Sequence, residues 1–147
     1  LAAEWRFGFW VNAILELIRK VEVERVGVVL NGVQIELVVF IDNNDFLRFR
    51  DGCRRMGITV PIVAGIMPIL NVSQIKRFVT MCGAKIPHPL LTRLESLGDR
   101  AEDVYKAGVE YAANQCRDLM FHGVEGLHFY TLNKHPATID IVKQLKR

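Results

Sequence analysis

GITVPIVAGIMPILNVSQIKRF, residues 57–78, is the stretch whose reading decides the fold. Thr59 to Ala64 is a short run with β-branched residues, Gly65 to Pro68 has the composition of a loop, and Ser73 can cap a following helix with its side-chain oxygen. That helix carries Ile75, Phe78, Val79 and Cys82 on one stripe and ends at Gly83. Strand, loop and helix in this order make one unit of a parallel α/β fold.

The same alternation extends in both directions. Upstream, Ile35 to Ile41 is almost continuously apolar, as in a strand covered on both faces, and it stops at Asp42, Asn43, Asn44 and Asp45, residue types that cap turns and helix starts. Phe46 to Met56 then reads as a helix closed by Gly57. Earlier still come a strand at Val26 to Leu30, released by the turn pair Asn31-Gly32, and a helix over residues 10–20 with Trp10, Ile14, Leu17 and Ile18 on one side.

Downstream, Leu90 to Leu97 forms a short helix after the breaks at Pro87 and Pro89. Arg100 to His122 forms the longest, with Ala101, Val104, Gly108, Ala112, Cys116 and Leu119 on one stripe and Gly123 as its stop. Gly126 to Leu132 is a strand, and His135 to Lys146 a final helix with Pro136 in its first turn. Parallel strands are therefore expected near 26–30, 35–41, 59–65 and 126–132, and the fold class is α/β.

Composition narrows the function classes. At 147 residues, half of them hydrophobic and 24% charged, the chain can bury one core as a single domain. Its 19 basic and 16 acidic residues are interleaved, so no concentrated cationic stripe suits nucleic acid. No run of about 18 apolar residues offers a membrane span, and a cytoplasmic protein is expected. Cys53, Cys82 and Cys116 lie apart, which argues against a disulfide framework and suits small buried hydrophobes.

In folds of parallel strands the ligand side lies beyond the carboxyl ends of the strands. That selects Asp42 to Asp45, Gly65 to Gln74 and Tyr130 to His135. His88, His122, His128 and His135 have no metal-ligand spacing, so no metal is expected, and His128 inside a strand reads as a hydrogen-bonded core residue. Capping explains the acidic run at 42–45 better than cation binding. The glycine fingerprints of nucleotide-binding sheets, GxGxxG and GxxxxGK[ST], are absent, which disfavours a small nucleotide-binding protein.

Residues 57–78 resemble the seventh strand and following helix of the methylenetetrahydrofolate reductases, and GVEGLHFYTLNK, residues 123–134, resembles the family's eighth strand and its end. FLRFRDGCRRMGI (46–58) and MCGAKIPHP (81–89) match in order and spacing, so the resemblance runs from Phe40 to the end of the chain. It implies the C-terminal half of a (βα)8 TIM-type barrel, with residues 1–35 a divergent segment and 36–147 the reductase-like half-barrel. Four strands are half of what such a barrel needs, and a whole one takes about 250 residues. The chain, which opens on Leu1 rather than Met, is thus expected to be too short for the whole catalyst.

The implied activity is reduction of 5,10-methylenetetrahydrofolate to 5-methyltetrahydrofolate with FAD as hydride carrier and NAD(P)H as donor. By motif, Gln74 matches the glutamine that contacts the folate pterin, Phe78 the phenylalanine of the substrate and nicotinamide pocket, Leu132 an apolar folate contact, and Lys134 a basic residue near the substrate's acidic tail. The family's glutamate general acid and flavin-facing aspartate come from the N-terminal half, so no catalytic residue is assigned here. Flavin-binding residues are not assigned either. One departure matters: an ITQ-type triplet, whose glutamine also contacts folate, aligns with Glu36, Leu37 and Val38.

Half a barrel leaves strand edges and one sheet face uncovered, so either self-association, association with a missing N-terminal half, or cover from the helix at 10–20 is expected. The rival functional reading is a noncatalytic half-barrel, a structural or self-associating remnant.

Overall fold

A computed structural model of the chain describes residues 29–31, 34–39, 41–59, 61–73, 75–77, 86–131 and 135–146. These form a four-stranded sheet, β1 (Val29–Asn31), β2 (Gln34–Val39), β3 (Ile62–Ile66) and β4 (Leu127–Phe129), in that spatial order. The helices are α1 (Asn43–Arg55), α2 (His88–Leu97), α3 (Ala101–Phe121) and α4 (His135–Leu145). Residues 72, 73 and 75–77 are also helical, where the sequence places a helix after Ser73; Phe78, Cys82 and Gly83 lie outside the described residues, as does the helix expected at 10–20.

β2, β3 and β4 are mutually parallel neighbours, with Ile35 opposite Ile62 and Glu36 opposite Val63, then Ala64 opposite Leu127 and Ile66 opposite Phe129. β1 corrects the expectation of a fourth parallel strand: it runs antiparallel to β2, with Asn31 opposite Gln34 and Val29 opposite Glu36. The reason is loop length. Two residues separate the strands, and a parallel connection needs a dozen or more. Two β-rich runs so closely spaced, with a glycine between them, are a hairpin signal.

One face of the sheet is packed by helices. Ile62, Ala64 and Ile66 of β3 share a core with Phe46 and Phe49 of α1, Cys116 and Leu119 of α3, and Ile141 of α4; Leu127 and Phe129 pack against it. A second apolar cluster joins α2 and the first half of α3 to Ile41 and Ile69, which follow β2 and β3. Helix α3, 21 residues and so about 31 Å long, serves both clusters. No described helix is long and apolar enough to cross a membrane.

Local rules explain the element ends. Asp42 caps α1 by accepting from the Asn44 N–H at 2.8 Å. Gly57 and Gly123 follow the last turns of α1 and α3 at φ 78° and 68°, backbone positions that a glycine adopts without strain. Where β3 and β4 begin, Arg54 bonds the Ile58 carbonyl at 2.6 Å and the Glu125 carboxylate at 2.5 Å, and that carboxylate accepts the Ile62 N–H at 2.7 Å.

Helix α3 approaches the segment after β3 closely. A Cβ on Gly108 would stand 1.7 Å from the Ile69 carbonyl oxygen, a backbone atom with no flexible end to move aside. Replacing glycine by alanine inside a helix ordinarily stabilises it by about 1 kcal/mol. Gly108→Ala is expected to reverse that sign and cost about 1–3 kcal/mol, the range of overpacked cores. Urea unfolding of both proteins tests it, and a variant as stable as the parent would show that the Ile69 turn yields freely.

Candidate functional site

The carboxyl ends of β2 and β3 are placed against α3. Beyond β2, the Ile41 carbonyl accepts from the Tyr111 hydroxyl at 2.5 Å and lies 3.4 Å from the buried Gln115 amide nitrogen. Asn43, one residue past the cap, donates to the Gln115 carbonyl at 3.0 Å and to Asp118 at 2.7 Å, while its own side-chain oxygen is buried without a partner. Beyond β3, Met67 to Leu70 lead to the Gly108 contact, and beyond β4 the Tyr130 N–H donates to the Ile66 carbonyl at 2.8 Å. Each strand end is thus held by backbone bonds or close packing rather than left as a free loop.

The run at 42–45 behaves as the capping reading expects. Asp42 also accepts from the Asn44 side chain at 2.9 Å, and Asp45 pairs with Arg48. Among the described residues no three His, Cys, Asp or Glu side chains converge as metal ligands.

The sheet face away from the helices carries a feature that the sequence reading placed differently. Strand alternation puts Val63 and Gly65 of β3 on this face, with His128 opposite Gly65 and Tyr130 two residues on. His128 is exposed rather than buried in the core, and its ring meets that of Tyr130 edge to face, centroids 4.8 Å apart. The period-2 pattern of Leu127 and Phe129 against His128 and Tyr130 was the available signal. Gly65 and Gly126 keep the face low: a Cβ on Gly126 would already touch Val63 at 3.4 Å.

Gln74, Phe78, Leu132 and Lys134 all lie outside the described residues, so the structure neither brings them together nor separates them. What it supplies is their attachment: Ser73 and Ile75 flank Gln74, and Thr131 precedes Leu132. Val38 lies in β2 at an irregularity in the pairing with β3, between Glu36 opposite Val63 and Val39 opposite Gly65.

Burial raises the Cys53 and Cys116 thiols to about 11, so at neutral pH they are protonated core atoms and not nucleophiles. Burial, and then the nearby Asp42 carboxylate, push the Tyr111 hydroxyl up to about 12, which keeps it a donor to Ile41.

Residues 33–146 match the family model described as methylenetetrahydrofolate reductase. The chain is 40% identical over 107 residues to methylenetetrahydrofolate reductase (NADH) 1 of Arabidopsis thaliana, a match covering 73% of this chain and 18% of that protein. It is 39% identical over 95 residues to 5,10-methylenetetrahydrofolate reductase of Escherichia coli strain K12, covering 65% and 32%. A probable methylenetetrahydrofolate reductase (NADPH) of Caenorhabditis elegans matches at 35% over 108 residues, covering 73% and 16%. The chain therefore spans between about a sixth and a third of the length of these relatives.

The described residues do not by themselves fit FAD. A flavin dinucleotide needs hydrogen-bond donors for a pyrophosphate; of the groups just past the strands, Asp42 and the Ile41 carbonyl are acceptors and the Tyr130 N–H is already given to Ile66. Among the described residues, two buried side-chain oxygens are without partners: Asn43 Oδ1 can only accept, and the Thr138 hydroxyl, which can donate, lies on a different helix, so the two form no shared cradle for an anion.

The raised Tyr111 hydroxyl has a consequence for stability. Its pKa in the folded chain lies above the unfolded value near 10, so its contribution is complete below pH 10 and is lost as pH rises toward 12. In chemical denaturation at pH 9 to 11.5, Tyr111→Phe is expected to lose less stability across the range than the parent. Equal losses would show that Tyr111 ionises as freely in the folded chain as in the unfolded one.

Proposed function

The chain belongs to the methylenetetrahydrofolate reductase family, and from that premise we propose that it supplies the C-terminal part of a (βα)8 barrel and the folate-facing side of its active site. The reaction is the two-electron reduction of 5,10-methylenetetrahydrofolate to 5-methyltetrahydrofolate by NAD(P)H. FAD, held by the rest of the barrel, supplies the hydride carrier, and no step of the transfer is assigned to a residue of this chain.

The observation that carries the reading is the parallel β2–β3–β4 sheet, with the described helices packed on one of its faces. A barrel wall has this form, its outer face under helices and its other face turned to the interior. The polar aromatic pair His128 and Tyr130 on the other face, in place of aliphatic side chains, supports an interior that meets a ligand.

In this proposal Gln74 bonds the pterin edge through its amide, Phe78 stacks on a ring of the substrate, Leu132 adds apolar contact, and Lys134 meets the glutamate tail of the folate. Val38 stands where an amide would give the pterin a second partner, so folate binding is weaker than a glutamine there would make it.

A second reading, a noncatalytic half-barrel that persists as a structural or self-associating remnant, draws on one observation. β1 lies antiparallel on the edge of β2 where a continuing barrel has a parallel strand.

The test joins this chain, by mixing or by fusion, to the Escherichia coli relative from which the 95 matched residues have been removed. Flavin absorbance and folate-dependent NAD(P)H oxidation should both appear. Gln74→Ala should then lower folate turnover about 5- to 150-fold, the scale of one lost hydrogen bond to a buried polar group at about 1–3 kcal/mol, while flavin stays bound. Val38→Gln should lower the KM for folate. Folate turnover untouched by Gln74→Ala, together with no effect of Val38→Gln, would sink the site assignment and leave the remnant reading standing.

A further inference from the structure

β2 has two edges. One pairs with β3 in parallel, and the other is taken by β1 in the antiparallel sense. If the chain is a barrel segment, as proposed above and on which this inference rests, the second edge is where the preceding parallel strand of the barrel must bind. A strand edge has one row of N–H and C=O groups and takes one partner at a time.

We propose that β1 is a built-in competitor for that strand: it caps the β2 edge, protects it from indiscriminate pairing, and is displaced when the partner half of the barrel docks. The partner is a parallel β-strand of a reductase barrel, whether on the same polypeptide or another. Two features favour displacement over permanence. β1 is three residues long against the six of β2. Beyond β2, the Ile41 carbonyl is held by Tyr111 and Gln115 of α3, so β2 keeps its place in the sheet when β1 leaves.

Docking is then a population shift. The apparent affinity for the partner half equals the intrinsic affinity scaled by the fraction of chains in which β1 is released, so a hairpin formed nine times in ten weakens docking about tenfold.

Two variants of the full chain separate the possibilities. In Val29→Pro/Leu30→Pro one of the two lost N–H groups must face β2, because the ladder alternates, so β1 is disabled. In Leu30→Cys/Ile35→Cys the two positions are directly opposite, and oxidation locks the hairpin shut. Binding of each to the labelled Escherichia coli relative lacking its 95 matched residues is followed by fluorescence anisotropy. The double proline should bind about tenfold or more tightly than the parent. The oxidised double cysteine should bind at least tenfold more weakly and regain parental affinity on reduction. Equal binding by all forms would overturn the competition while leaving the barrel reading intact. No binding by any form, the double proline included, would overturn both.

Discussion

The segments beyond the carboxyl ends of β2 and β3 hang on how closely helix α3 approaches them. Gly108 has no side chain, and the Ile69 carbonyl occupies the space that one would need. Three residues further along α3, Tyr111 reaches the Ile41 carbonyl, and a turn beyond that Gln115 holds the Asn43 side chain through its own carbonyl. The segments after β2 and β3 are thereby set against one rigid rod, and their spacing is that of residues on a helix. A loop tethered at one carbonyl would have many conformations; two loops fixed to a single helix have few. If Gln74 and Val38 face one ligand, this rod determines the distance between the segments that carry them.

The parts of the fold legible in the sequence were those governed by local chemistry. Asp42 as a cap, Gly57 and Gly123 as stops, Pro136 in a first turn and the long stripe of α3 each follow from one residue's own conformational or hydrogen-bonding preference. β1 departs from the parallel expectation because strand direction depends on connection length, which an apolar run does not report. His128 was misplaced for a related reason. A histidine in an apolar strand suggests a satisfied core group, whereas its facing depends on register, and register with Gly65 is a long-range fact. The candidate folate residues rest on resemblance alone, since an amide, a phenyl ring and an amine at positions 74, 78 and 134 carry no chemistry distinct from that of ordinary surface and core residues.

Family membership and the hairpin pull in different directions, and edge chemistry reconciles them. A parallel sheet cut between strands exposes a row of unpaired backbone groups, which favours aggregation. A short antiparallel strand supplied from the adjoining sequence satisfies that row at small entropic cost, because the closing loop is minimal. The same shortness limits its hold. An edge so covered is protected from chance partners yet open to a longer strand that brings its own apolar surface.

The junction of Arg54 and Glu125 bears on how the chain reaches this state. The bond from Arg54 spans 71 residues of sequence, and the Glu125 carboxylate reaches back 63 residues to the Ile62 N–H. A contact of this separation forms only after a long stretch of chain has been drawn together, and proteins dominated by such contacts fold slowly. α1 and the start of β3 are local and can form early. β4 has only three residues of its own and finds its place against β3 once Glu125 arrives, so docking of the last strand is the natural late event in folding, and a nascent chain halted before residue 125 holds an arginine and a backbone donor still waiting for the same acceptor.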